Sequence, residues 1–115
     1  MLSEEMKKKY DEAYESFEKL VDTSSVSVRH RSLKKYENKT NQDVLFYVNG
    51  KSVLGVYVAK TTYKIWLDNA DWYATSKANK TEMKEDGYYS ILCSSLDDCI
   101  DELKNFFHHE YHVHF

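Results

Sequence analysis

The chain has 115 residues, the length of one domain able to bury a modest core. Apolar residues make up 42% and charged residues 30%, the proportions of a globular protein. A formal net charge of -3 excludes a duplex-wrapping basic protein and, equally, a strongly acidic mimic of nucleic acid.

Ser3 to about Thr23 is predicted to be a helix. Met6, Tyr10, Ala13, Tyr14, Phe17, Leu20 and Val21 recur at three- and four-residue steps and make one apolar stripe. Ser3 is placed to cap it, and Glu4 and Glu5 suit the positive end of its dipole. Ser25 to Arg31 alternates as a half-buried strand does. Val26, Val28 and His30 fall on one face, and Ser27, Arg29 and Arg31 on the other. Ser32 to Asp43 is polar and reads as a loop.

Two apolar runs follow, Val44 to Val48 and Val53 to Val58, with Asn49-Gly50 between them. Asn-Gly in that position predicts a hairpin, because a type I′ turn needs positive φ at both central residues. Tyr63 to Leu67 is a third strand, entered through the turn Lys60-Thr61-Thr62. Asp68 to Asp86 is a long polar stretch interrupted by Trp72, Tyr73 and Met83, with a short helix expected within Ser76 to Met83. Gly87 opens a last strand, Tyr88 to Cys93. Ser94 and Ser95 then precede Asp97 and Asp98 at capping-box spacing. Leu96, Ile100, Leu103 and Phe107 mark the apolar face of a second helix, to about Tyr111. The expected architecture is a single α+β domain over residues 1–115. It has an antiparallel sheet of about five strands, with the N-terminal and C-terminal helices packed on one face.

Met1 to Glu5 lacks a basic segment followed by an apolar one, and no run is long enough to span a bilayer. A cytoplasmic protein without membrane contact is therefore expected. Cys93 and Cys99 are too few for a disulfide framework and read as reduced, buried and inert. With 10 Tyr and 2 Trp, the chain carries more aromatic surface than a small core hides, so several rings are expected outside. Lys far outnumbers Arg, and Asn and Tyr are abundant, a bias of AT-rich coding such as that of a low-GC bacterium or its phage.

Three groups of residues invite a functional reading. The first is His108-His109-Glu110-Tyr111-His112-Val113-His114-Phe115, where His108 and His112 share a helix face. The zincin pattern fails, since the second ligand would have to be Val113. The expectation there is structural or solvated imidazole, with no metal and no other cofactor. The second group is basic: Arg29, Arg31, Lys34, Lys35 and Lys39 against the single Glu37, a candidate contact for phosphate or an acidic partner. The third is the polar excursion around Trp72 and Tyr73. Long loops of this kind are often functional, and Trp and Tyr are frequent anchors of protein interfaces. No Gly-x-Ser-x-Gly elbow and no phosphate-cradling loop is present, the only glycines being Gly50, Gly55 and Gly87. Late carboxylates, among them Asp97, Asp98, Asp101 and Glu102, read as a solvated acidic surface.

Val44-Leu45-Phe46-Tyr47-Val48, the Lys-led strand Lys64-Ile65-Trp66-Leu67, and Ser95-Leu96-Asp97-Asp98 before a closing helix together resemble an uncharacterised bacterial domain. That domain is found at the C-terminal end of restriction-type and predicted transport proteins. The resemblance covers about Val44 to Phe107, a little over half the chain, and lacks that domain's Gly-rich, His-containing stretch. It implies an α+β fold and a defence-related setting, and no catalytic residues.

The reading that follows is a non-enzymatic binding protein, monomeric or homodimeric. A phage or mobile-element accessory protein fits it, one that inhibits a host defence protein, such as a nuclease, by occupying its surface through Trp72 and Tyr73. Two alternatives stand beside it. One is a nucleic-acid-binding accessory domain using Arg29, Arg31, Lys34 and Lys35. The other is a small hydrolase or nuclease whose site the sequence does not reveal.

Overall fold

The computed structural model describes residues 3–31, 42–67, 79–83 and 86–115. The chain enters as helix α1 (Glu4–Val21). Ser3 caps it with its hydroxyl, which accepts from the Met6 amide at 3.2 Å. This uses one of the amides that a helix start leaves without an internal partner. Strand β1 (Val26–His30) follows, then β2 (Asp43–Val48), β3 (Lys51–Val58), β4 (Tyr63–Leu67), β5 (Asn79–Met83) and β6 (Asp86–Cys93). Helix α2 (Leu96–Tyr111) closes the order, with the Ser95 hydroxyl accepting from the Asp98 amide at 3.1 Å. Among the described residues, no helix is long and apolar enough to cross a membrane.

The six strands form one antiparallel sheet in the order β1-β2-β3-β4-β6-β5. The turn between β2 and β3 has Asn49 at φ 52° and Gly50 at φ 76°. Both are in the left-handed region, as a type I′ turn requires. Strand β3 starts two residues earlier than its apolar run, because Lys51 and Ser52 pair with Val48 and Tyr47. Phe46 pairs with Leu54, which leaves Val53 as an extra residue at a bulge.

The segment Asn79–Met83 corrects the expected short helix: it is a strand, paired in register with Asp86–Ser90. A weak local pattern yields here to the free edge of β6, which offers a ladder of backbone partners to the segment folding back on it. All five anticipated strands are present, and β5 adds a sixth at the edge.

Both helices lie on one face. Phe46, fully buried in β2, meets Phe17 of α1 at 5.3 Å between ring centroids and Phe107 of α2 at 5.7 Å. Val26, Val44, Leu54, Val56, Val58, Tyr63, Ile65, Leu67 and Cys93 complete the sheet's share of this core. Tyr10, Ala13, Phe17 and Val21 come from α1, and Cys99, Leu103, Phe106 and Phe107 from α2. Phe106 joins the predicted face of α2 because the helix is covered from two sides, by β4 and β6 and by α1.

Candidate functional site

Strand alternation sends every second side chain away from the helices. On the helix-free face the register aligns Arg29, Leu45, Gly55, Trp66 and Ser90 in one row across β1, β2, β3, β4 and β6. A second row holds Asp43, Tyr57, Lys64 and Leu92. Tyr47 stands beside them on β2, diagonal to Arg29.

Charge and aromaticity are paired on this face. The Arg29 guanidinium lies 4.8 Å from the centroid of Tyr47, and the Lys64 ammonium lies 4.8 Å from that of Trp66. Both contacts are within cation–π range. Leu92 is 65% exposed, a large apolar side chain held out to solvent. Gly55 stands between Leu45 and Trp66, and the Leu45 side chain fills the space above it: a Cβ built there would meet Leu45 Cδ2 at 3.3 Å. At the β1 end, Arg31 Nη1 is 3.5 Å from Asp43 Oδ2. Burial pushes the Asp43 carboxyl up, and the neighbouring Arg31 charge pulls it back down.

Arg29 lies on β1, and Arg31 follows one residue past the strand's end, beside Asp43. Lys34, Lys35, Trp72 and Tyr73 lie outside the described residues. The structure places on the same sheet face as Arg29 residues that sequence reasoning did not single out, Tyr47 in contact with it and Tyr57, Lys64, Trp66 and Leu92 on strands farther across. The available signal was the run Val44 to Val48, apolar at almost every position rather than at alternate ones. A strand with one face in the core and such residues on the other presents an apolar outer surface.

Two further places carry side chains capable of chemistry. An open pocket of about 300 Å³ is lined by Thr62, Ile91, Leu92, Cys93, Ser94, Asp98 and Glu102. Its Ser94 hydroxyl donates to Asp98 Oδ2 at 3.1 Å, and no imidazole is among its lining residues. A serine held by a carboxylate alone lacks the base that activates a nucleophile. Cys93 and Cys99 are both buried free thiols. The hydrogen bond from Cys99 to Cys93, with burial behind it, pushes the Cys99 thiol far above its usual value. A thiol so held stays protonated and unreactive. Among the described residues, no group of three or more His, Cys, Asp and Glu side chains is arranged to hold a metal.

No known protein family, no curated protein and no solved structure matches this chain.

Proposed function

We propose that this chain is a non-enzymatic binding protein that covers the surface of a partner protein with its helix-free sheet face. The observation that supports the reading is the pairing of Arg29 with Tyr47 and of Lys64 with Trp66, beside the exposed Leu92. Tyr, Trp and Arg are the side chains that most often dominate binding energy at protein interfaces. The two cations favour a partner whose contact surface is acidic. We extend the proposal to a host protein, a defence nuclease first among the candidates. Support for that setting comes from the AT-rich coding bias alone.

The net charge of -3 favours this reading over nucleic-acid binding. A backbone-tracking groove needs many cations, and Arg31 already shares its charge with Asp43. The test is a pull-down from a low-GC bacterial lysate with the tagged chain and its Trp66→Ala variant, with and without nuclease treatment. We expect a protein captured by the parent, lost with Trp66→Ala and indifferent to nuclease. Capture that disappears on nuclease treatment, and weakens steeply between about 50 and 200 mM salt, would instead show a nucleic-acid binder.

A further inference from the structure

We infer that the end of α2 and the residues after it build an open, two-imidazole site for a divalent ion of the Ni²⁺ or Cu²⁺ type, formed by His108 and His114. The site belongs to the helix layer and is independent of the proposed docking face. Helical spacing suggests a different pair, His108 with His112. The backbone sets that pair aside, because His112 leaves the helix in the left-handed conformation, at φ 57° and ψ 32°.

The turn is a built feature. His112 donates its amide to the His108 carbonyl at 3.0 Å, the closing bond of a left-handed helix cap. Val113 donates to the Phe107 carbonyl at 3.1 Å, so the chain doubles back along the helix it has just left. Val113 and Phe115 both pack against the core, and the Phe115 ring meets Phe107 at 5.6 Å. Two apolar anchors therefore flank His114 on either side. They hold its ring 4.3 Å from that of His108, at 61° between planes.

At that separation both rings can reach one ion. An imidazole nitrogen binds such an ion at roughly 2.0 Å, which puts each ring centre about 3.2 Å from the metal. Two rings at right angles around one ion then have centres about 4.5 Å apart, and at the tetrahedral angle about 5.2 Å. The observed 4.3 Å lies nearer the right-angle value, which square-planar and octahedral ions take, than the tetrahedral one. Solvent completes the shell.

The experiment is calorimetric titration of the full chain with Ni²⁺ alone at pH 7.5 in a non-coordinating buffer, repeated with Zn²⁺. One Ni²⁺ per chain is expected, bound more tightly than Zn²⁺. His108→Asn and His114→Asn should each weaken it by about tenfold or more. His109→Asn should cost less than either: its ring lies 5.3 Å from that of His108, but adjacent positions on a helix do not face each other. Phe115→Ala keeps both imidazoles but frees the segment that carries His114, and it should weaken binding while circular dichroism stays that of the parent. Equal small losses from every histidine variant, or more than one ion per chain, would mean diffuse adsorption and overturn the site. Zn²⁺ binding more tightly than Ni²⁺ would overturn the right-angle geometry. An unchanged affinity in His114→Asn would overturn the pairing itself.

Discussion

The Arg29 guanidinium stacks over the Tyr47 ring at 4.8 Å, on the sheet face that neither helix covers. The two residues are not opposite each other, since Arg29 pairs with Leu45 and Tyr47 with Ser27. They meet on the diagonal, a distance that only long side chains span. The contact orders a flexible arginine on a flat aromatic surface before any partner arrives, which lowers the entropic cost of binding.

Binding variants should rank accordingly. Trp66→Ala and Tyr47→Ala are each expected to weaken capture of the partner by about 2 kcal/mol, roughly thirtyfold, as interface anchors do. Charge reversal at Arg29 should act mainly on the association rate. Trp72→Ala and Tyr73→Ala belong in the same panel, since the polar excursion is the competing anchor. If they abolish binding while Trp66→Ala and Tyr47→Ala leave it intact, the interface lies in the excursion and not on the strands. Surface plasmon resonance resolves both rates.

Gly50→Val should lower stability by roughly 1 kcal/mol or more, because a β-branched residue resists the φ of 76° found there. No atom lies near enough to clash with an added Cβ, so any loss reports backbone strain and not crowding. Urea unfolding measures it. An unchanged midpoint would refute the strain argument.

Phe46→Ala should be among the most damaging single changes, costing about 3–5 kcal/mol. Its ring touches Phe17 and Phe107 at once, so its loss empties the junction of both helices with the sheet. Thermal unfolding followed by near-ultraviolet dichroism would show it. A loss below about 1 kcal/mol would mean that the helices close over the gap.

Replacing both Cys93 and Cys99 by Ala should leave partner binding intact and reduce stability by roughly 2 kcal/mol through lost packing volume. Both side chains sit in the core, on the side of the sheet away from Arg29 and Trp66. Abolished binding in a folded double variant would reopen a redox role for the pair.

Arg31→Ala should raise the Asp43 pKa further, as it removes the charge that opposes burial. The sign for stability follows from that upward shift. A carboxyl whose folded pKa exceeds its unfolded value, near 3.8, binds protons more tightly when folded. Its stabilising contribution is complete below pH 3.8 and is lost as pH rises through the folded pKa. The variant should therefore lose more stability than the parent between acid and neutral pH. Carboxyl carbon shifts in an NMR titration would track Asp43 directly, and a downward shift in Arg31→Ala would contradict the proposed opposition.

Local chemistry alone determined much of this molecule. Ser3 and Ser95 as caps, the Asn49-Gly50 turn, the stripe from Tyr10 to Val21 and the alternation of β1 all act between residues a few positions apart. Arg29 could be assigned to its face for the same reason. Tertiary structure decided what depends on register between distant strands. The backbone edge of β6 turned Asn79–Met83 into a strand. Pairing across β1, β2, β3 and β4 brought Arg29, Tyr47, Lys64 and Trp66 onto one helix-free surface. At the far end, packing of Val113 and Phe115 on the core paired His108 with His114 and not with His112. Side-chain periodicity says which face a residue takes, but not which residues of other strands share that face. That depends on how the backbone ladders align and on which anchors the core accepts.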